Sequence, residues 1–496
     1  MKKISNNNFK ISTLLFLSAF FFLLFPTHAQ INPPLRIELE GAKDQQEYKY
    51  FSLDNQGVAV FFKSAAPTAD TAQWVFIQYD TNLFKINQYK IKLPNKCQFL
   101  DVDYSNQKLY LFLQKPAQKK DTLKNFLLEW NITTSKFQLI DLQNYRNSFF
   151  SSMKIKDDYL FILVDEQKNR SITFYNYKTH THQTIHVVDE EVTSIESFCI
   201  DTVSKTTYFC MFLKNKQSSR AELFRTDYSG KLKERVVLPY EENFVYHSVK
   251  IAPVGRDSLL LIGGYSNNKE KKNKGGFSGI YTIQFSKNGF FNKNVYKFGA
   301  MAANDSAFNI TPFVETNLLM NVHITQFNGK IFVVTEFFYP EYQFNVSSFR
   351  NYGYFGYEPP VQSFTGFQYL NAYISEFNAQ GKMLQEWYFP IQNVLTKSMN
   401  NLVGLYQDKE GNSLFYYVNM NNVVSQFMNG KHLLSPQTAV PIELINKSDV
   451  IEYSTNVIMQ HWYGNNFLLS GYQYIKNPQR GKGKRYVFFL NKMLCE

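Results

Sequence analysis

Asp101 and Asp103 stand one residue apart, just before the apolar run Leu109–Leu113. On an extended strand such residues share a face. The pair therefore predicts two neighbouring carboxylates, the equipment of general acid–base catalysis. Most aspartates of this chain fall in recurrent turn positions, where a side-chain oxygen caps backbone N–H groups. That role explains them better than catalysis does. His180, His182 and His186 are all even-numbered and could face a metal from one strand. His180 and His182 sit at a turn before an outer strand, so a solvated polar turn is the better reading. His247, His323 and His461 precede the turns at Arg256, Asn328 and Gly464 by nine, five and three residues. Such staggering argues against a metal-binding ring. Asp189-Glu190-Glu191 and Glu241-Glu242 read as solvated loops. The chain has no calcium loop, nucleophile elbow, phosphate loop or dinucleotide fingerprint. No metal and no cofactor are expected.

Four cysteines are too few for a disulfide scaffold. Cys199 and Cys210 flank Asp201–Thr207, which reads as a hairpin turn with Ser204-Lys205 as its two-residue loop. That register places the two cysteines opposite each other on paired strands. A cross-strand disulfide and two small buried thiols both suit the spacing.

The most unusual segment is Phe337–Leu370, with 13 Phe or Tyr among its 34 residues and Arg350 as its only basic residue. It interrupts a predicted hairpin between Ile331–Val334 and Ala372–Phe377, so it should project from the scaffold. Projecting insertions often carry function. Tyr339, Tyr342, Tyr352, Tyr354 and Tyr357 would supply stacking area for sugar rings or peptides, and Arg350 a polar anchor. A local mini-core or a cap over a channel is the competing reading.

These segments need a scaffold, and a repeat supplies one. A polar turn followed by a short apolar run recurs eight times, beginning with Asp54-Asn55-Gln56-Gly57 before Val58–Phe62 and ending with Gly464-Asn465-Asn466 before Phe467–Leu469. A second apolar run usually follows, closed by Asp or Asn, as in Trp74–Tyr79 before Asp80. The runs are continuous rather than alternating, which suits strands covered on both faces. Ile391–Met399 is the only stretch that reads as a short helix. Units of three to four strands with no linker predict an all-β fold, a β-propeller of eight blades, with seven as the runner-up. The last unit lacks a final strand and Leu35–Leu39 lacks a partner. Pairing them would close the ring and hide two edges. The predicted organisation is a signal peptide at 1–29 and a single propeller domain at 30–496 with the insertion at 337–370.

The stretches Phe338-Tyr339-Pro340-Glu341-Tyr342, Phe364-Thr365-Gly366-Phe367-Gln368-Tyr369 and Phe377-Asn378-Ala379-Gln380-Gly381-Lys382 resemble uncharacterised secreted, propeller-like proteins of Bacteroidetes. The resemblance spans about 50 residues and implies no activity. Five Asp-Ser/Thr-aliphatic triplets, at Asp70, Asp121, Asp201, Asp257 and Asp305, are similar to the O-glycosylation sequon of that phylum.

The formal charge is +12, and it falls to +9 once Lys2, Lys3 and Lys10 leave with residues 1–29. Those residues pair a basic start with the apolar run Ile11–Phe25 and end at Thr27-His28-Ala29, the pattern of a secretory signal peptide. No later segment has transmembrane length. Lysine outnumbers arginine, which supplies ten residues; nucleic-acid readers favour arginine forks. Nucleic acid is excluded as a partner on these grounds. The expected protein is secreted across the inner membrane, periplasmic or extracellular. It is a non-catalytic scaffold contacting a protein or glycan of the envelope. The alternative is an envelope enzyme acting on glycans or peptides at the channel mouth.

Overall fold

The computed structural model describes residues 35–41, 47–64, 70–116, 122–142, 145–146, 149–166, 169–187, 191–214, 219–239, 241, 243–267, 277–298, 318–344, 362–430, 432–478 and 484–494. They form eight antiparallel sheets, each a meander of four strands, three of which carry a further short segment. The first strands of the sheets are Lys49–Ser52, Gln98–Ser105, Phe149–Lys156, Glu191–Asp201, Lys250–Gly255, Leu319–Phe327, Gly404–Gln407 and Val450–Tyr463. First strands of neighbouring blades contact each other, as Gln98–Ser105 does Phe149–Lys156 and Lys250–Gly255 does Leu319–Phe327, and they lie innermost. The sheets are the blades of an eight-bladed β-propeller. The seven-blade reading is set aside, because Gly404–Gln407, Asn412–Asn419 and Asn422–Asn429 form a seventh blade of their own.

Local chemistry explains the meander. The turns after the first strands use residues that accept positive φ: Asn106 and Gln107 at 52° and 63°, Asn328 and Gly329 at 49° and 74°. Two consecutive positive-φ residues make the hairpin turn whose twist matches the strands. The first blade instead turns through the short 3-10 segment Asp54–Gln56 and Gly57. A Cβ at Gly57 would stand 1.9 Å from the Tyr79 carbonyl oxygen, so no side chain fits there.

Second strands are buried on both faces, as at Val58–Phe61 and Leu109–Leu113. Their side chains fill apolar clusters between successive blades. Trp130 and Phe137 stack across 5.2 Å, with Phe76 of the preceding blade edge-on at 5.5 Å from Trp130. Burying each such ring contributes about 2–3 kcal/mol. The aromatic excess of the sequence goes largely into these junctions. Ala252, Leu260 and Ile262 meet Val322, Ile331 and Val333 between blades five and six. Val58, Val60 and Ile77 meet Trp462, Leu468 and Phe488 between blades one and eight, so the blades form a ring.

The strand Leu35–Glu40 pairs with Arg485–Leu494, Leu35 opposite Lys492 and Glu40 opposite Val487. It is the outermost strand of blade eight. A charged cluster accompanies it. Arg36 Nε donates to Glu38 at 2.7 Å and Arg36 Nη2 to Gln473 at 2.7 Å, while Arg485 pairs with Glu38 and, at 2.5 Å, with Asp449. Residues 1–29, the expected signal peptide, lie outside the described residues.

Three expectations are corrected. Phe337–Leu370 does not interrupt the hairpin at both its ends: the second and third strands of blade six, Lys330–Phe344 and Gln362–Phe377, run into it as far as Phe344 and from Gln362 as one long hairpin. Ile391–Met399 is not helical; the fourth strand, Met383–Thr396, takes in its first six residues, and bends follow. Ile391 and Val394 both face the core, and Asn393 at φ 53° forms the bulge between them. Finally, the turn of blade four is Thr202–Lys205, with Asp201 opposite Thr206. The four-residue turn sets Cys199 opposite Tyr208, and a bulge between Glu196 and Phe198 sets Cys210 opposite Glu196. The two cysteines are diagonal rather than opposite, and both are free thiols. Burial pushes Cys199 up to about 11 and Cys210 further.

Candidate functional site

In a four-stranded meander the second-to-third turn and the link to the next blade share one end. The long hairpin of blade six therefore rises on the face that carries the blade-to-blade links. The first strand of the blade pairs with the hairpin only as far as Leu319 opposite Phe338. The fourth pairs only as far as Thr396 opposite Phe367. Beyond those points, Tyr339–Phe344 and Gln362–Gly366 stand as a two-stranded ribbon, with no ladder partner on either outer edge among the described residues.

A column of rings runs up this ribbon. At its base Phe338 and Tyr369 are buried and stacked, 4.8 Å apart. Phe367 meets Phe338 edge-on at 5.6 Å, and Phe364 lies 5.0 Å from Phe367. At the top Tyr342 meets Phe364 edge-on at 5.8 Å, with relative exposures of 50% and 46%. Of the expected binding residues, Tyr342 is exposed on the ribbon. Tyr339 is partly buried and packs on the small cluster of Leu318, Phe337 and Tyr373. Arg350, Tyr352, Tyr354 and Tyr357 lie outside the described residues.

The ribbon is anchored by groups that the sequence reading passed over. Glu336 is fully buried on the strand that becomes the ribbon. Its Oε1 accepts N–H bonds from Leu402 at 2.7 Å and Val403 at 2.6 Å, in the link to blade seven. Its Oε2 accepts from Asn321 at 3.1 Å. Burial pushes its carboxyl up to about 7, against these hydrogen bonds, which favour the anion. His323 Nε2 donates to the Val403 carbonyl at 3.0 Å, and burial lowers its pKa to about 4. Tyr369 completes the anchor: its hydroxyl donates to the Asn400 carbonyl at 2.7 Å and accepts from the Asn400 N–H at 3.0 Å. One signal for Glu336 was present in the sequence. It is the only charged residue in the apolar run Ile331–Phe338.

Asp101 and Asp103 do a similar job elsewhere. Asp101 Oδ2 accepts from Met153 N–H and Asp103 Oδ2 from Ile155 N–H, each at 2.7 Å, on the first strand of the next blade. Their other oxygens accept from Val102 and Tyr104 of their own strand. They tie blades together rather than form an acid–base pair. The histidines are likewise engaged singly. His180 Nδ1 bonds the Tyr175 hydroxyl at 2.9 Å, His247 Nε2 the Ser266 hydroxyl at 2.8 Å, and His461 Nε2 the Gly464 carbonyl at 2.7 Å. Among the described residues no three His, Cys, Asp or Glu side chains gather as a metal site.

No protein-family model and no curated protein matches the chain. Solved β-propellers do. The chain is similar to the β-propeller domain of the Trilobed protease from Pyrococcus furiosus, with 12% identity over 81% of this chain and 96% of that one and a TM-score of 0.38. The Dos1 propeller is 9% identical over 80% and 92%, with a TM-score of 0.41. A prolyl endopeptidase is 7% identical over 79% of this chain and 50% of its own, with a TM-score of 0.40. These likenesses concern the fold alone.

Proposed function

We propose that this protein is a secreted, non-catalytic binding scaffold of the bacterial envelope that contacts a protein or glycan through the hairpin of blade six. The observation that carries this reading is the ribbon. It exposes Tyr342 and Phe364 on a stem whose base is packed and hydrogen-bonded into the ring. Exposed aromatic side chains on a rigid support lose little conformational freedom on binding, which suits recognition. Tyr352, Tyr354, Tyr357 and Arg350 lie between the two strands in sequence, and we assign them to the contact together with Tyr339 and Tyr342. Secretion rests on the character of residues 1–29, and no cofactor enters the proposal.

The test compares the protein with a variant whose residues 340–363 are replaced by a short Gly/Ser turn, in pull-downs from envelope extract. A partner or glycan held by the first and lost by the second supports the reading. Replacing Tyr354 and Tyr357 together with alanine should abolish the same capture without unfolding. Unchanged capture by that variant removes the hairpin tip from the site.

A further inference from the structure

A pocket of about 520 Å³ opens on the opposite face, at the seam between blade eight and blade one. Its lining comes from the ends of three first strands and the turns that follow them. Blade one is thin here. Its first strand, Lys49–Ser52, has four residues, whereas that of blade eight has 14. Tyr50, Tyr104 and Trp462 give the pocket aromatic surface, while Asp54, Gln460 and His461 give it polar groups.

These polar groups are uncommitted. Asp80, Asp201, Asp227 and Asp408 each cap backbone N–H groups of their own turns. Asp54 does not. Its turn has no side-chain cap, and the Ser52 hydroxyl accepts the Asp54 N–H at 3.1 Å instead. Among the described residues neither the Asp54 carboxylate nor the Gln460 amide has a hydrogen-bond partner. His461 donates from Nε2 to the Gly464 carbonyl, which leaves Nδ1 uncommitted. Tyr104 donates to Gln56 at 3.0 Å and keeps its oxygen free to accept.

We infer that this pocket binds a neutral saccharide ring. Asp54 disfavours an anion. A single exposed carboxylate holds a cation weakly in water, and among the described residues no lysine, arginine or glutamate lines the pocket. Uncommitted donors and acceptors on separate strands, set among aromatic walls, suit a ligand with many hydroxyls and an apolar ring face. The site is independent of the blade-six hairpin.

The experiment screens the purified protein on a printed array of neutral oligosaccharides beside lysine-rich peptides, then titrates the strongest binder by calorimetry. A saturable neutral saccharide is expected. Asp54→Ala and Gln460→Ala should each weaken it about tenfold, the loss of one good hydrogen bond. Both variants should unfold with the parent midpoint, because neither side chain bonds the fold. The Tyr354→Ala/Tyr357→Ala variant should bind the saccharide unchanged, which separates this site from the hairpin. Absence of any neutral saccharide, capture of lysine-rich peptides alone, or affinity that survives both substitutions would each overturn the assignment.

Discussion

The junction between blades two and three and the junction between blades six and seven face the same problem. A first strand on the channel side has backbone N–H groups that no ladder satisfies. Both junctions answer with carboxylates from the preceding blade. At the former, Asp101 and Asp103 reach Met153 and Ile155 from partly exposed positions. At the latter, one fully buried carboxylate, Glu336, takes Leu402 and Val403 together. The difference teaches that burial, rather than hydrogen-bond count, sets what a carboxylate costs and what its removal does. Solvent near Asp103 can replace a lost acceptor. Nothing can enter beside Glu336.

Removing Glu336 should therefore have the largest effect. Glu336→Ala orphans two backbone N–H groups at once, and a loss of about 4 kcal/mol is expected from urea unfolding followed by tryptophan fluorescence. Asp103→Ala should cost about half as much. Equal losses would show that burial does not decide the comparison.

Acidity sharpens it next. The raised carboxyl of Glu336 contributes stability below its ordinary value of 4.5, and this is lost as pH rises through about 7. The depressed imidazole of His323 works in the other direction: its contribution is whole above 6.5 and is lost as pH falls through about 4. Between about 4.5 and 6.5 the two slopes oppose each other. Asn321 and Tyr369 face the carboxyl, and Lys250 acts on the imidazole. Glu336→Gln should leave a stability that rises with pH across this window, and His323→Gln one that falls, each by up to about 3 kcal/mol. Parallel profiles for the two variants in urea titrations would break the account.

The smallest effect expected is at Tyr369. Tyr369→Phe keeps the ring column and loses the hydroxyl shared with Asn400, for about 1 kcal/mol. Proteolysis of the ribbon, read by mass spectrometry, should accelerate in this variant while the Asp103→Ala protein is cut at the parent rate.

Much of the fold was legible in the residues. Asn106-Gln107, Asn328-Gly329 and Gly464-Asn465 mark turns by backbone preference alone, and the apolar runs after them mark strands buried on both faces. Other features were hidden for identifiable reasons. Phe337–Leu370 lacks a turn signal where its strands continue, so its rings read as an insertion although the lower ones extend a ladder. Ile391 and Val394 are spaced by three, which fits a helix until the Asn393 bulge is known. Cys199 and Cys210 were misaligned because the turn takes four residues, Thr202–Lys205, instead of two, and a bulge between Glu196 and Phe198 shifts the pairing further.

Strands, turns and their eightfold recurrence follow from the residues alone, through φ preferences and burial patterns within a few positions. What the polar side chains do follows only from how the blades pack. Asp101 and Met153 are 52 residues apart, and Glu336 and Val403 are 67 apart. Whether a carboxylate caps, catalyses or clamps depends on which backbone N–H the neighbouring blade brings to it. That partner is chosen by the packing of one sheet on the next.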